Sequence, residues 1–89
     1  MREIYVIMAK VVDANGSFND LSGYPKVFDT NHYDGNLAVT TNRAFGAYHE
    51  ALGAMCKVDT RQLQLAAITR VSDGAQVAST VIGGFSDGE

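Results

Sequence analysis

The stretch Asn36 to Val58, NLAVTTNRAFGAYHEALGAMCKV, limits most what this chain can fold into. Advanced at about 100° per residue, Leu37, Thr41, Phe45, Tyr48, Leu52, Met55 and Cys56 fall within an arc of about 100°. Ala44 and Ala51 widen that arc on one side, and Ala38 borders the other. Apolar positions that step by three and four make an amphipathic helix with one buried face and rule out a strand. Two starts are open. Asn31 and Asp34 are both N-cap types, and Asp34-Gly35-Asn36 can break an initial turn from the main helix. Lys57 suits the negative pole at the other end.

The outer face of this helix is unusual. Arg43, Glu50 and Lys57 recur every seventh residue beside Gly46, Gly53, Ala47, Ala54 and Val39. A helical glycine costs about 1 kcal/mol relative to alanine. Two of them on one face mean either a tolerated, poorly optimised surface or a place where another backbone approaches closely.

The flanking segments read as strand and turn, so the predicted order is β-β-α-β-β. The first strand is Ile4 to Val12, apolar on both faces apart from Lys10, as in the middle of a sheet. Asn15-Gly16 in the loop Asp13 to Gly23 is the clearest hairpin signal. The second strand is placed at about Tyr24 to Asp29; Pro25 makes it short and at an edge, or starts it after the proline. The loop from Asn15 to Gly23 is alternatively a longer excursion. Asp59-Thr60 is read as a tight connection to a third strand, Gln62 to Val71. There Leu63, Leu65, Ala67 and Val71 are expected on the covered face, with Gln62, Gln64 and Arg70 mainly on the open one. Ser72-Asp73-Gly74 turns into a fourth strand, Ala75 to Ile82, ended by Gly83-Gly84, after which Phe85 still has apolar surface to pack. The expected fold is α+β: a two-layer β-β-α-β-β domain over residues 1–85, with one long helix on a four-stranded, mainly antiparallel sheet, and a flexible acidic tail at 86–89.

Composition narrows the class. With 89 residues, 46% of them apolar and 19% charged, one folded domain is expected rather than a disordered chain. A net charge of −3 and a pI of about 5.2 argue against nucleic-acid binding through a basic surface. No apolar run is long enough to span a membrane, and the N-terminal stretch lacks a secretory pattern. The single Cys56 fits a reducing compartment, so a cytoplasmic location is expected.

No residue pattern here carries recognisable chemistry. Asp13-x-Asn15-Gly16-Ser17 departs from a calcium loop, whose glycine stands sixth and whose bidentate Glu stands twelfth, and is read as a hairpin turn. His49 and Cys56 lie two turns apart, about 10 Å, too far for a thiolate–imidazole pair; Cys56 is read as a buried small hydrophobe and His49 as half exposed. His32 with Asp29 and Asp34 lacks defined metal-ligand spacing. Arg2 stands where small tautomerases use a proline. No catalytic residue, cofactor or metal is therefore assigned.

The expectation is a small non-enzymatic protein that acts by contact with a protein partner or by self-association as a homodimer. The candidate contact residues are Arg43, Gly46, Glu50, Gly53 and Lys57 on the helix, or Gln62, Gln64 and Arg70 on the open sheet face. Two alternatives stand beside it. One is an inhibitor of a host protein of the kind phages and mobile elements encode, although no motif ties the chain to such a family. The other is a ligand binder or enzyme whose site forms at a dimer interface, using His32, His49 or a tyrosine.

Overall fold

A computed structural model describes residues 2–57 and 62–83. The sheet contains β1 (Ile4–Val12), β2 (Phe18–Asp20), β3 (Lys26–Asp29), β4 (Leu63–Arg70) and β5 (Ala75–Ile82); one helix, α1 (Leu37–Met55), packs on one face. All strand pairs are antiparallel, in the order β2-β1-β4-β5, and β3 also pairs with β1. The expected two-layer α+β arrangement is present. Val58, the connection Asp59-Thr60, Gly84, Phe85 and the tail 86–89 lie outside the described residues.

The central position read for β1 holds. It pairs with β4 from Tyr5↔Arg70 to Val12↔Leu63 along one side. Its other side is shared end to end by β3, at Ile4–Ile7, and β2, at Lys10–Val12. β2 is absent from the sequence reading, where its residues belong to a loop. Together β2 and β3 form one interrupted edge strand, with residues 21–25 between them. The turn before β2 is the expected hairpin: the Asp13 carboxylate accepts from Asn15 N (2.9 Å) and Ser17 N (3.0 Å), and Gly16 takes φ 82°. β3 starts directly after Pro25.

Between β3 and α1 the chain makes a 3-10 turn at Thr30–Tyr33, capped by Asp29. Asp34 (φ 55°) and Gly35 (φ 74°) end it, and Asn36 then caps α1 by accepting from Val39 N at 3.1 Å. The break at Asp34-Gly35-Asn36 is therefore the correct one of the two starts, with neither Asn31 nor Asp34 as the α1 cap. The helix ends at Met55 rather than Val58, so Lys57 lies past its last turn.

The buried face of α1 is rotated from the expected one. Its buried residues are Thr40, Ala44, Ala47, Tyr48, Ala51 and Met55. Phe45 and Leu52 pack along the margin, while Leu37 and Cys56 are exposed. Ala47, assigned to the outer face from sequence, is buried, and the reading of Cys56 as a buried hydrophobe is overturned. His49 is exposed rather than half exposed. The physical reason lies beneath the helix. Ala9 and Ala66 are paired across β1 and β4, and with Tyr5, Ile7 and Ile68 they form the floor. A floor with small residues at its centre admits a helix on its alanine side at close range, and close packing of small surfaces keeps density high without strain.

The same contact inverts β4. Tyr5, Ile7, Ala9 and Val11 pair with Arg70, Ile68, Ala66 and Gln64, and paired residues share a face. Gln64, Ala66 and Ile68 are therefore on the helix side, and Leu63, Leu65 and Ala67 on the uncovered side. The sequence reading had Leu63, Leu65 and Ala67 on the covered face and Gln64 and Arg70 on the open one, the reverse of this arrangement. Tyr48 and Thr80 share a short hydroxyl hydrogen bond that joins mid-helix to β5. The Tyr24 hydroxyl donates to the Ala47 carbonyl at 2.8 Å and ties the loop before β3 to α1.

Charged side chains fasten the sheet ends. Arg2 makes a bidentate contact to Asp29 (2.7 Å at the shorter), whose carboxyl it holds below the usual range with help from Asn31 N. Arg70 grips Asp73, which also accepts from Ala75 N at 3.1 Å; the guanidinium first and that amide second depress the Asp73 pKa to about 2. Glu3 is held low chiefly by hydrogen bonding from Ser72.

Two outcomes follow from this packing. Ile68→Ala, at 0% exposure, is expected to lower unfolding free energy by about 2–5 kcal/mol in urea titration, while Met8→Ala on the uncovered face changes it far less. The depressed carboxylates give stability that is complete above their unfolded pKa and lost as pH falls through the folded value. The melting temperature should therefore drop between about pH 4 and pH 2, and Asp73→Asn should flatten that slope; an unchanged slope would remove the Arg70–Asp73 contact from the acid response.

Candidate functional site

Two surfaces are candidates for contact: the uncovered face of the sheet and the outer face of α1. The first follows from strand alternation. Since odd residues of β1 point at the helix, Val6, Met8, Lys10 and Val12 point away from it. Their partners across β4 are Thr69, Ala67, Leu65 and Leu63. On β5, Val81 lies beside Leu65 and Ser79 beside Ala67. Phe18 joins this face opposite Val12, and Val27 opposite Val6.

Several of these apolar groups are open to solvent. Val81 is 64% exposed, Phe18 58% and Val27 57%, and Met8 is also exposed. They share one face of the sheet, with Met8 and Val81 at the hollow and Val27 and Phe18 beside the two ends of β1. Within it lies a shallow hollow of about 240 Å³. Its floor is low because the cross-strand pair Ala67 and Ser79 is small. Met8, Leu65, Val81 and Gln76 stand higher around it. Lys10 closes the rim, its Nζ 2.7 Å from the Asp20 carboxylate on β2. The charges of this pair cancel locally, so the face presents an apolar hollow beside one neutralised ion pair.

The second surface differs from the sequence reading by the loss of Ala47, which is buried. Arg43, Gly46, Glu50, Gly53 and Lys57 are all exposed on one side of the helix or just beyond its end. A Cβ added at Gly46 or Gly53 would meet nothing within 4 Å. Among the described residues, then, no backbone approaches the glycines closely. This surface is small-featured and mainly polar.

The residues chosen from sequence for the sheet face do not form one surface. Gln64 is fully buried, Arg70 is on the helix side in its ion pair with Asp73, and Gln62 lies just before β4. The residues that build the hollow, Met8, Leu65, Ala67, Ser79 and Val81, were not chosen. Their signal was the small pair Ala67 and Ser79 amid larger neighbours, which becomes visible only once the register of β4 on β5 is known.

Among the described residues no group of three or more His, Cys, Asp or Glu side chains gathers for a metal ion, and no helix is long and apolar enough to cross a membrane. His49 stacks edge-on against Tyr48, with ring centroids 5.8 Å apart, on the exposed side of the helix.

Open space at the helix glycines generates a direct test. Gly46→Ala and Gly53→Ala should each raise unfolding free energy by roughly 0.4–1 kcal/mol in denaturant titration. A loss of stability in either variant would mean that the position is not open. Compared with known proteins, the chain matches no protein-family model, no curated protein and no solved structure.

Proposed function

We propose that this chain is a non-enzymatic contact module whose uncovered sheet face receives a protein partner. The observation that carries the reading is the hollow over Ala67 and Ser79, set in a face where Met8, Phe18, Val27 and Val81 are exposed. Exposed apolar side chains concentrated on one face are costly in water unless something covers them. The hollow is suited to a large aliphatic or aromatic side chain, which is the usual anchor of a protein contact. The Lys10–Asp20 pair at its rim would orient polar groups of the partner without demanding a charged one.

The outer helix face supports this role less well. It has exposed charges, two glycines and, among large apolar groups, the exposed Val39. Contact there would rest on rim-type charges, which affect encounter rate more than affinity.

The test is a comparison of two folded variants in affinity capture from a lysate of the source cell. Met8→Glu places a charge at the wall of the hollow; Gly46→Glu with Gly53→Glu changes only the helix surface. A specific partner should be held by wild type and by the helix variant, and lost from Met8→Glu. Loss confined to the helix variant would transfer the function to α1 and end this reading.

A further inference from the structure

The two edges of the sheet are built differently. The edge formed by β2 and β3 is short and guarded. Its strands have three and four residues, Pro25 interrupts them, and Asp20, Lys26 and Asp29 stand along them. Proline, charge and shortness are the usual means of stopping a sheet edge from pairing with another chain. The edge formed by β5 has none of these. Ala75–Ile82 runs for eight residues, AQVASTVI, without a charge or a proline. Among the described residues no strand pairs with its outer side. An irregularity between Ile68 and Thr69 leaves Val77 as the extra residue, but it is confined to the turn end; Ala78–Ile82 pair regularly with β4.

We infer that β5 pairs antiparallel with β5 of a second copy, joining two sheets edge to edge. The sequence of the strand favours its own copy as the occupant. With Thr80 on the two-fold axis, Val81 faces Ser79 of the other copy, and Ile82 faces Ala78. Each large residue then meets a small one on both faces, and threonine meets threonine at the centre, a favourable cross-strand pair. The contact is isologous, as closed dimers require. The strand is uncharged, so two copies of net charge −3 meet along a neutral strip. In this register Val81, 64% exposed in one copy, covers the Ser79 side of the other copy's hollow.

Size sets the strength. In this register five residues of each β5, Ala78 to Ile82, pair with each other; at about 3.4 Å each and a sheet about 10 Å thick they give an end-on contact of roughly 170 Å² per copy. That is well below the roughly 800 Å² per partner of a stable complex. The dimer is therefore weak and concentration-dependent, with a Kd of about 10 μM to 1 mM. It runs along the β5 edge and meets the partner face only at the Ser79 side of the hollow, and it is tested separately from that reading.

Sedimentation equilibrium of the full chain from about 10 μM to 2 mM tests the inference. Wild type should move from monomer to dimer across that range. Val77→Lys with Val81→Lys, which places like charges along the edge, should raise Kd at least tenfold, and Met8→Glu should leave it unchanged. A wild type that stays monomeric at 2 mM overturns the dimer. So does dimerisation that survives the lysines or is lost in Met8→Glu, since either moves the contact away from the edge. As a check independent of the lysine variant's folding, Ser79→Cys and Val81→Cys chains, each carrying Cys56→Ser, should on mixing and oxidation give mainly the mixed disulfide dimer. Absence of that species rules out the Thr80-centred pairing.

Discussion

Alanine against alanine, where α1 meets the sheet, is the contact on which the rest of the structure depends. Ala44, Ala47 and Ala51 lie over a floor with Ala9 and Ala66 at its centre, and all five are buried. Small groups on both sides let the helix come close, so its larger residues Phe45 and Leu52 serve as flanks. Once that face is chosen, β4 has a single permitted phase. A shift by one residue would exchange Ala66 and Ile68 for Leu65 and Ala67 beneath the helix and turn the whole strand over. Leu63 and Leu65 are left on the outside as a result. The hollow on the far face is thus the other side of the same packing decision.

Much of the fold was legible in residue pattern. The three- and four-residue spacing from Leu37 to Met55 identified the helix, the two-sided apolar run of β1 identified its central place, and Asn15-Gly16 identified the first hairpin. The misses share a cause. Amphipathicity ranks residues by hydrophobicity, whereas the helix–sheet contact here selects by size. Leucines drew the expected helix face toward Leu37 and the expected β4 face toward Leu63 and Leu65, and alanines decided both. β2 was hidden because Phe18-Asn19-Asp20 is too short and polar to alternate; it exists through its pairing with Lys10, Val11 and Val12. The candidate site was less legible still, because a hollow depends on which residues are neighbours across strands. Arg43, Gly46, Glu50, Gly53 and Lys57 are exposed, but Ala47, read on the same face, is buried, because the floor beneath the helix sets its rotation.

Electrostatics in this chain is local. Arg2–Asp29, Arg70–Asp73 and Lys10–Asp20 each join a strand to its own edge or turn, and none reaches into the core. Lys10–Asp20 and Arg70–Asp73 are open to solvent and add little individually to stability, whereas Asp29 in the first pair is buried. Their effect is to fix ends: Arg2 and Glu3 hold the start of β1 to Asp29, Thr30 and Ser72, while Asp73 shapes the turn that sets β5 running beside β4. The core can then be made from a few apolar side chains, since the strand termini are positioned from outside.

The path of the chain through β3, α1 and β4 has a consequence for assembly during synthesis. β3 and β4 run parallel to each other with β1 between them, because each is antiparallel to β1. β1 therefore leaves one whole side unpaired while β2, β3 and α1 are being made, and closes it only when β4 arrives. A chain emerging from a ribosome would hold a long apolar strand half open until nearly all of its sequence was available. Pairing between such distant segments is slow to form. The helix, complete by Met55, is ready to shelter one face of β1 through that interval.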